Sequence, residues 1–168
     1  MTVANLITLL RLGLVPFFVY FLEVSPTHRV ALALFIVASL TDWVDGYVAR
    51  RFNQRTNLGA LLDPLVDKVL VTAAIVGLAR HGVVSAWAVT LVLTREFLIT
   101  GLRTAAINAG VVLAASWTGK VKTTLQMVAI ALLIAGVQPW GDWLWWAAIV
   151  MTAYSGLEYI WQTRRIWV

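Results

Sequence analysis

The sequence contains no cysteine, which removes disulfides and thiolate metal centres from consideration and leaves the redox compartment unmarked. Charge is almost as scarce. Of the 168 residues, 12% are Asp, Glu, Lys or Arg and 61% are hydrophobic, whereas soluble domains carry about 25% charged residues. Soluble globular classes are therefore excluded, and the chain reads as one integral membrane domain over residues 1–168. Low-complexity tracts and short-period repeats are missing as well. Nothing resembles a base-reading module, so the net charge of +5 does not point to nucleic acid. The first apolar stretch has no basic region ahead of it and no small-residue cleavage site after it in FLEVSPTHRV, so it is read as a retained span rather than a signal peptide.

What is present in abundance is apolar sequence of helical length. Six segments, at roughly 4–24, 28–51, 58–80, 83–106, 117–138 and 142–163, each approach the about 20 residues a transmembrane helix needs. The breaks VSPTHR, RRFNQRTN, RHGVVS, NAG and QPWGD supply the Pro, Gly and Asn that end helices. The fold class is thus all-α, with six transmembrane helices. Basic residues are retained on the cytoplasmic side of a membrane. With both termini inside, Arg50, Arg51, Arg55, Arg103, Lys120, Lys122, Arg164 and Arg165 collect at inner ends, leaving Arg29 and Arg80 outside. The tryptophans at 140, 143, 145 and 146 suit the outer interface, and Trp117, Trp161 and Trp167 the inner one.

Within this frame the few charges are concentrated. Asp42 and Asp45 close the second segment, while Asp63, Asp67 and Lys68 open the third. Arg95, Glu96 and Arg103 lie late in the fourth, and Lys120 and Lys122 open the fifth. All of these sit at the cytoplasmic end, where they would line a water-accessible cavity. Ionisable groups in a membrane are costly and functional by default. At roughly 100° per residue, Asp42, Asp45 and Ala49 share one helix face, and Gly59, Asp63 and Asp67 share another. Four carboxylates in one cavity repel each other unless cations intervene. An all-oxygen ligand set suits a hard ion, Mg²⁺ or Mn²⁺, and two such ions about 3.5 to 4 Å apart form a recurring clamp for displacement at phosphorus.

The stretch Asp42-x2-Asp45-Gly46-x2-Ala49-Arg50-x8-Gly59-x3-Asp63-x3-Asp67 resembles, at every fixed position, the signature of the CDP-alcohol phosphotransferase family of membrane enzymes. NLITLLR (5–11), TREFLITGLR (94–103) and GKVKTTLQM (119–127) resemble the branch whose acceptor is sn-glycerol 3-phosphate. The last segment is similar only in apolar character and its basic end. The resemblance implies transfer of the phosphatidyl group of CDP-diacylglycerol to sn-glycerol 3-phosphate, with release of CMP. By matching position, Asp42, Asp45, Asp63 and Asp67 would hold two divalent ions, with Asp67 also the general base. Gly46, Ala49 and Gly59 would admit the cytidine nucleotide, and Arg50 would hold its pyrophosphate. It further implies a homodimer in a bacterial cytoplasmic (inner) membrane, surrounded by lipid, with a cytoplasmic active site.

The acceptor's own phosphate needs fixed cations, for which Arg103, Lys120, Lys122, Arg95 and Arg55 are the candidates. Glu96, Thr100 and Arg103 share a face that would let Glu96 hold Arg103, and Lys120 groups with Thr123 and Thr124. The competing readings are structural: Lys120 and Lys122 as positive-inside residues, Arg95 with Glu96 as a local pair, Arg55 as an anchor. Asn5 and Thr8 are candidates for nucleotide contact, with helix capping the alternative for Asn5. His28 and His81, in outer loops, receive no chemistry, and Asp142 is read as the cap of the sixth segment. Inositol phosphate is an alternative acceptor. A divalent-cation transporter is the alternative from another class, although transport sites usually lie near the midplane on broken helices.

Overall fold

A computed structural model of the chain describes residues 3–24, 28–51, 57–108 and 117–164, with side chains described for 6–24, 28–41, 65–106 and 117–164. Six helices are found there: α1 (Val3–Val24), α2 (Arg29–Arg51), α3 (Asn57–Arg80), α4 (Ala86–Asn108), α5 (Trp117–Ile134) and α6 (Trp140–Thr163). No strand occurs among the described residues. Each helix coincides with one apolar segment of the sequence, and the deviations have local causes.

The apolar run of the fifth segment extends to 138, yet α5 stops at Ile134. Gly136 takes φ +69° and Val137 N–H donates to the Leu132 carbonyl at 3.0 Å, a glycine-centred C-terminal cap that caps the end of the helix before the run ends. The fourth helix begins at Ala86 rather than 83 because Ser85 intervenes, its Oγ accepting from the Ala88 N–H at 3.3 Å as an N-cap does. Asp142 does not cap α6. That helix starts two residues earlier, after Pro139, and Asp142 falls in its first turn, where a carboxylate faces the positive end of the helix dipole.

The chain divides into two compact units, one built from α1–α3 and the other from α4–α6. In the first, α1 packs against both α2 and α3. Its buried stripe is Thr8, Arg11, Val15, Phe18 and Leu22, a 3–4–3–4 spacing that keeps one face on the neighbours. Phe18 meets Phe35 of α2 at 5.8 Å between ring centres. Leu22 lies so close to Gly77 of α3 that a Cβ there would stand 2.5 Å from its Cδ2, so the glycine permits the approach. Glu23 and Arg80 close the same end with an ion pair of 2.5 Å.

Residues 6–24 of α1 have a mean hydropathy of 1.8 and are long and apolar enough to cross a membrane; among the described residues this is the one helix of which that holds. Large apolar side chains also cover outward faces elsewhere, among them Phe97, Val150 and Leu157 at 67%, 65% and 70% exposure. A soluble monomer rarely presents so much. Hydroxyls on these helices are turned inward on their own backbone: Thr90, Thr104 and Thr123 each donate to the carbonyl four residues earlier, at 2.9, 3.0 and 3.0 Å, and Thr41 does the same toward Val37.

Candidate active site

The three helices of the first unit change character along their length. Toward the C-terminal end of α1 the core is Phe18 and Leu22 with Phe35, Ala74, Ile75 and Leu78. Toward its N-terminal end the same stripe of α1 becomes Thr8 and Arg11, at 0% and 1% exposure. A guanidinium that far from solvent is tolerated only where acids or phosphates meet its charge. Among the residues whose side chains are described, the acids of this unit are Glu23, at the opposite end, and Asp67, half-buried on α3 one turn before the buried Leu70.

Helix α2 carries the pattern on. Its buried positions 31, 35 and 38 follow a spacing whose next steps are 42, 45 and 49, and the helix runs unbroken through them to Arg51. Helix α3 likewise runs unbroken through 59, 63 and 67. The backbone thus keeps Asp42 with Asp45, and Asp63 with Asp67, on successive turns as the sequence spacing requires. The side chains of Asp42, Asp45, Gly46, Ala49, Arg50, Gly59 and Asp63 lie outside the described residues, and so does Arg55 altogether.

The sequence reading passed over Arg11 as a site residue. Its signal was the 8, 11, 15, 18, 22 spacing, which places an arginine on the face that carries Phe18.

The second unit holds a polar seam. Glu96 on α4 pairs with its neighbour Arg95 at 3.2 Å and with Lys122 of α5. Arg95 reaches further, its Nη2 donating to Ser155 Oγ of α6 at 3.1 Å. One turn along α5, Thr118 donates to Glu158 of α6 at 2.5 Å, and Gln162 donates to the other oxygen of that carboxylate at 3.0 Å. Glu158, unassigned from sequence, is therefore an inter-helix acceptor. Arg95 and Glu96 do form a local pair, and the tie expected from Glu96 to Arg103 is replaced by ties to Arg95 and Lys122.

The acceptor candidates separate in this unit. Lys122 is 3% exposed, whereas Lys120 and Arg103 are exposed. The polar face expected around Lys120 is thinner than its letters suggest, because Thr123 and Thr124 spend their hydroxyl protons on the Gly119 and Lys120 carbonyls. Buried donors without a hydrogen-bond partner among the described residues include Arg95 Nε, Gln126 Nε2 and Tyr159 OH. The tryptophan cluster divides too: Trp140, Trp143 and Trp146 are exposed at 65%, 71% and 56%, but Trp145 is 4% exposed and belongs to the core of α6. At the far end of that helix the Arg164 guanidinium stacks 4.4 Å above the Trp161 ring.

Known proteins share this arrangement of sequence. The chain is 40% identical to the CDP-diacylglycerol–glycerol-3-phosphate 3-phosphatidyltransferase of Bacillus subtilis (strain 168) over 92% of its own length and 91% of the relative's. It is 42% identical to the protein of that description in Escherichia coli (strain K12), over 94% and 92% respectively. The family model for CDP-alcohol phosphatidyltransferase matches residues 1–154. That match takes in α1 with its buried Arg11, both pairs of aspartates and most of α6, and on these grounds the chain belongs to the CDP-alcohol phosphatidyltransferase family of membrane enzymes.

Proposed function

We infer that this chain is a transferase that moves the phosphatidyl group of CDP-diacylglycerol to sn-glycerol 3-phosphate, giving phosphatidylglycerophosphate and CMP. The observation that carries the reading is the near full-length likeness to two relatives named for that reaction, together with unbroken helices α2 and α3 through the eight-residue signature.

The donor set on these helices is all carboxylate oxygen, which fits hard divalent ions and not soft ones. Asp42, Asp45, Asp63 and Asp67 would hold two such ions, Mg²⁺ or Mn²⁺, whose contribution when bound is to neutralise the phosphate oxygens on either side of the bond that breaks. Arg50 takes the remaining charge of the pyrophosphate, and Gly46, Ala49 and Gly59 leave room for the cytidine nucleotide against the helix backbones. Asp67 accepts the proton of the acceptor hydroxyl. The hydroxyl oxygen then bonds to the phosphorus that carries diacylglycerol, the bond from that phosphorus to the bridging oxygen breaks, and CMP leaves with the electron pair.

For the acceptor phosphate the assigned direct ligands are exposed Arg103 and Lys120, with Arg55 a further candidate from the sequence. Lys122 and Arg95 act from within the seam: Glu96 compensates Lys122, while the Arg95 Nε–H retains a donor to offer. Six membrane spans, cytoplasmic termini, an active site open to the cytoplasm of a bacterial inner membrane, and a homodimer complete the reading. The positive bias of the inner ends and the apolar outward faces support the topology.

The test is CMP release by detergent-purified protein given CDP-diacylglycerol and Mg²⁺, with glycerol 3-phosphate, inositol phosphate, serine or no acceptor in parallel. Release that depends on glycerol 3-phosphate supports the reading. Dependence on another alcohol replaces the acceptor, and no release from folded, metal-loaded protein overturns the activity.

A further inference from the structure

The two histidines of the chain, 53 positions apart in sequence, meet in the first unit, their ring centres 5.4 Å apart and their planes at 61°. Each is fixed by a helix end. The His28 carbonyl accepts the first bond of α2 from Leu32 N–H at 2.8 Å, and His81 N–H donates to the Gly77 carbonyl at 3.2 Å, prolonging the last turn of α3. Holding His28 there requires φ +48°, an uncommon backbone state for a residue with a side chain. His28 Nδ1 is buried and has no hydrogen-bond partner among the described residues, while the His81 ring is exposed. Nearby in sequence stand the Glu23–Arg80 ion pair and Arg29.

We propose that His28 and His81 form a binding site for a borderline transition-metal ion such as Zn²⁺ or Ni²⁺, clipping the start of α2 to the end of α3. Imidazole nitrogen suits these ions. Two imidazoles on one tetrahedral ion, each nitrogen about 2.0–2.1 Å from the metal, set ring centres roughly 5 to 6 Å apart, the separation found here. A metal ion on the lone pair of Nδ1 gives the buried atom a partner that it lacks among the described residues. The two imidazoles are the protein ligands of the proposed site, with water in the remaining positions, so the ion exchanges readily. The site is distinct from the aspartates: Asp42 lies fourteen residues further along α2, about 21 Å at 1.5 Å per residue.

Ni²⁺ titration calorimetry on untagged, detergent-purified protein tests this, in saturating Mg²⁺ to occupy the carboxylates, alongside thermal melting with and without Ni²⁺. The proposal expects saturable binding of one ion per chain and a raised Tm in the wild type and in Asp67→Asn, both lost in His28→Ala and in His81→Gln. Melting without metal reports whether each variant is folded, and His81→Gln, at an exposed ring, is the variant chosen to remain so. Absence of binding in the wild type, binding that survives His81→Gln, or binding lost in Asp67→Asn would overturn it.

Discussion

The two three-helix units place their polar groups in opposite ways. In α1–α3 polarity is segregated: one end of the core is Phe18, Leu22, Phe35 and Ile75, and the other is Thr8, Arg11 and half-buried Asp67. In α4–α6 it is threaded through the packing, from Thr118 and Glu158 through Lys122, Glu96, Arg95 and Ser155 to buried Gln126 and Thr152. Segregation suits chemistry, because buried charge gathered at one end of an otherwise apolar core is what a phosphate-bearing substrate needs. Threading suits assembly. Apolar side chains gain little by leaving lipid for a protein interior, so cross-helix polar contacts and close packing carry much of the association.

The contrast predicts that damage to the polar end of the first unit falls on turnover and damage to the buried seam of the second on stability. Chelation with EDTA should have the largest effect, abolishing CMP release, with Mg²⁺ or Mn²⁺ restoring it; activity that persists in EDTA removes the two-ion account. Asp67→Asn should lower kcat by about 10²- to 10⁴-fold, the usual contribution of a general base, with an unchanged melting curve and retained nucleotide binding. The reverse pattern is expected of Lys122→Met. Breaking the buried pair should cost about 3 kcal/mol, at the low end of the range because Arg95 still meets Glu96, and a Tm equal to wild type would return Lys122 to the direct acceptor ligands. Lys120→Ala should raise the KM for glycerol 3-phosphate with no change in melting, and an unchanged KM makes Lys120 a simple anchor. The smallest effect belongs to Gly77→Ala, where the new Cβ meets the movable end of Leu22: about 1 kcal/mol of overpacking, read as a lower Tm with kcat preserved.

The helices themselves were legible because lipid demands long apolar runs and because Gly, Pro and Asn punctuate them. Where the reading slipped, a single residue overruled the run, Gly136 at the end of α5 and Ser85 before α4. The aspartate pairs were legible through spacing alone, since unbroken helices through 42–51 and 57–67 turn that spacing directly into successive turns. Facing was harder. Lys120 and Lys122 look equivalent as two lysines at one helix end, yet two residues are roughly 200° of rotation, which sends one to the surface and the other to Glu96. Trp145 differs from Trp143 and Trp146 for the same reason. Periodicity assigns positions to faces, and only packing decides which face meets a neighbour. Arg11 shows the converse, a charge whose depth was encoded in a stripe but disguised by its apolar surroundings.

The threonines that close on their own carbonyls separate two quantities that composition merges, the polarity a helix contains and the polarity its surroundings encounter. At exposed Thr90 and Thr104 the hydroxyl proton is already spent inside the helix, so the surface offers the environment a methyl group and an oxygen tucked against the backbone. A helix such as α4 is therefore oilier to its neighbours than its letters suggest. Two of its three charged letters, Arg95 and Glu96, are likewise turned to other helices, while Arg103, near its C-terminal end, stays exposed. Counted letter by letter α4 looks reluctant to enter a bilayer, yet as a folded surface it has already hidden much of what a bilayer would reject.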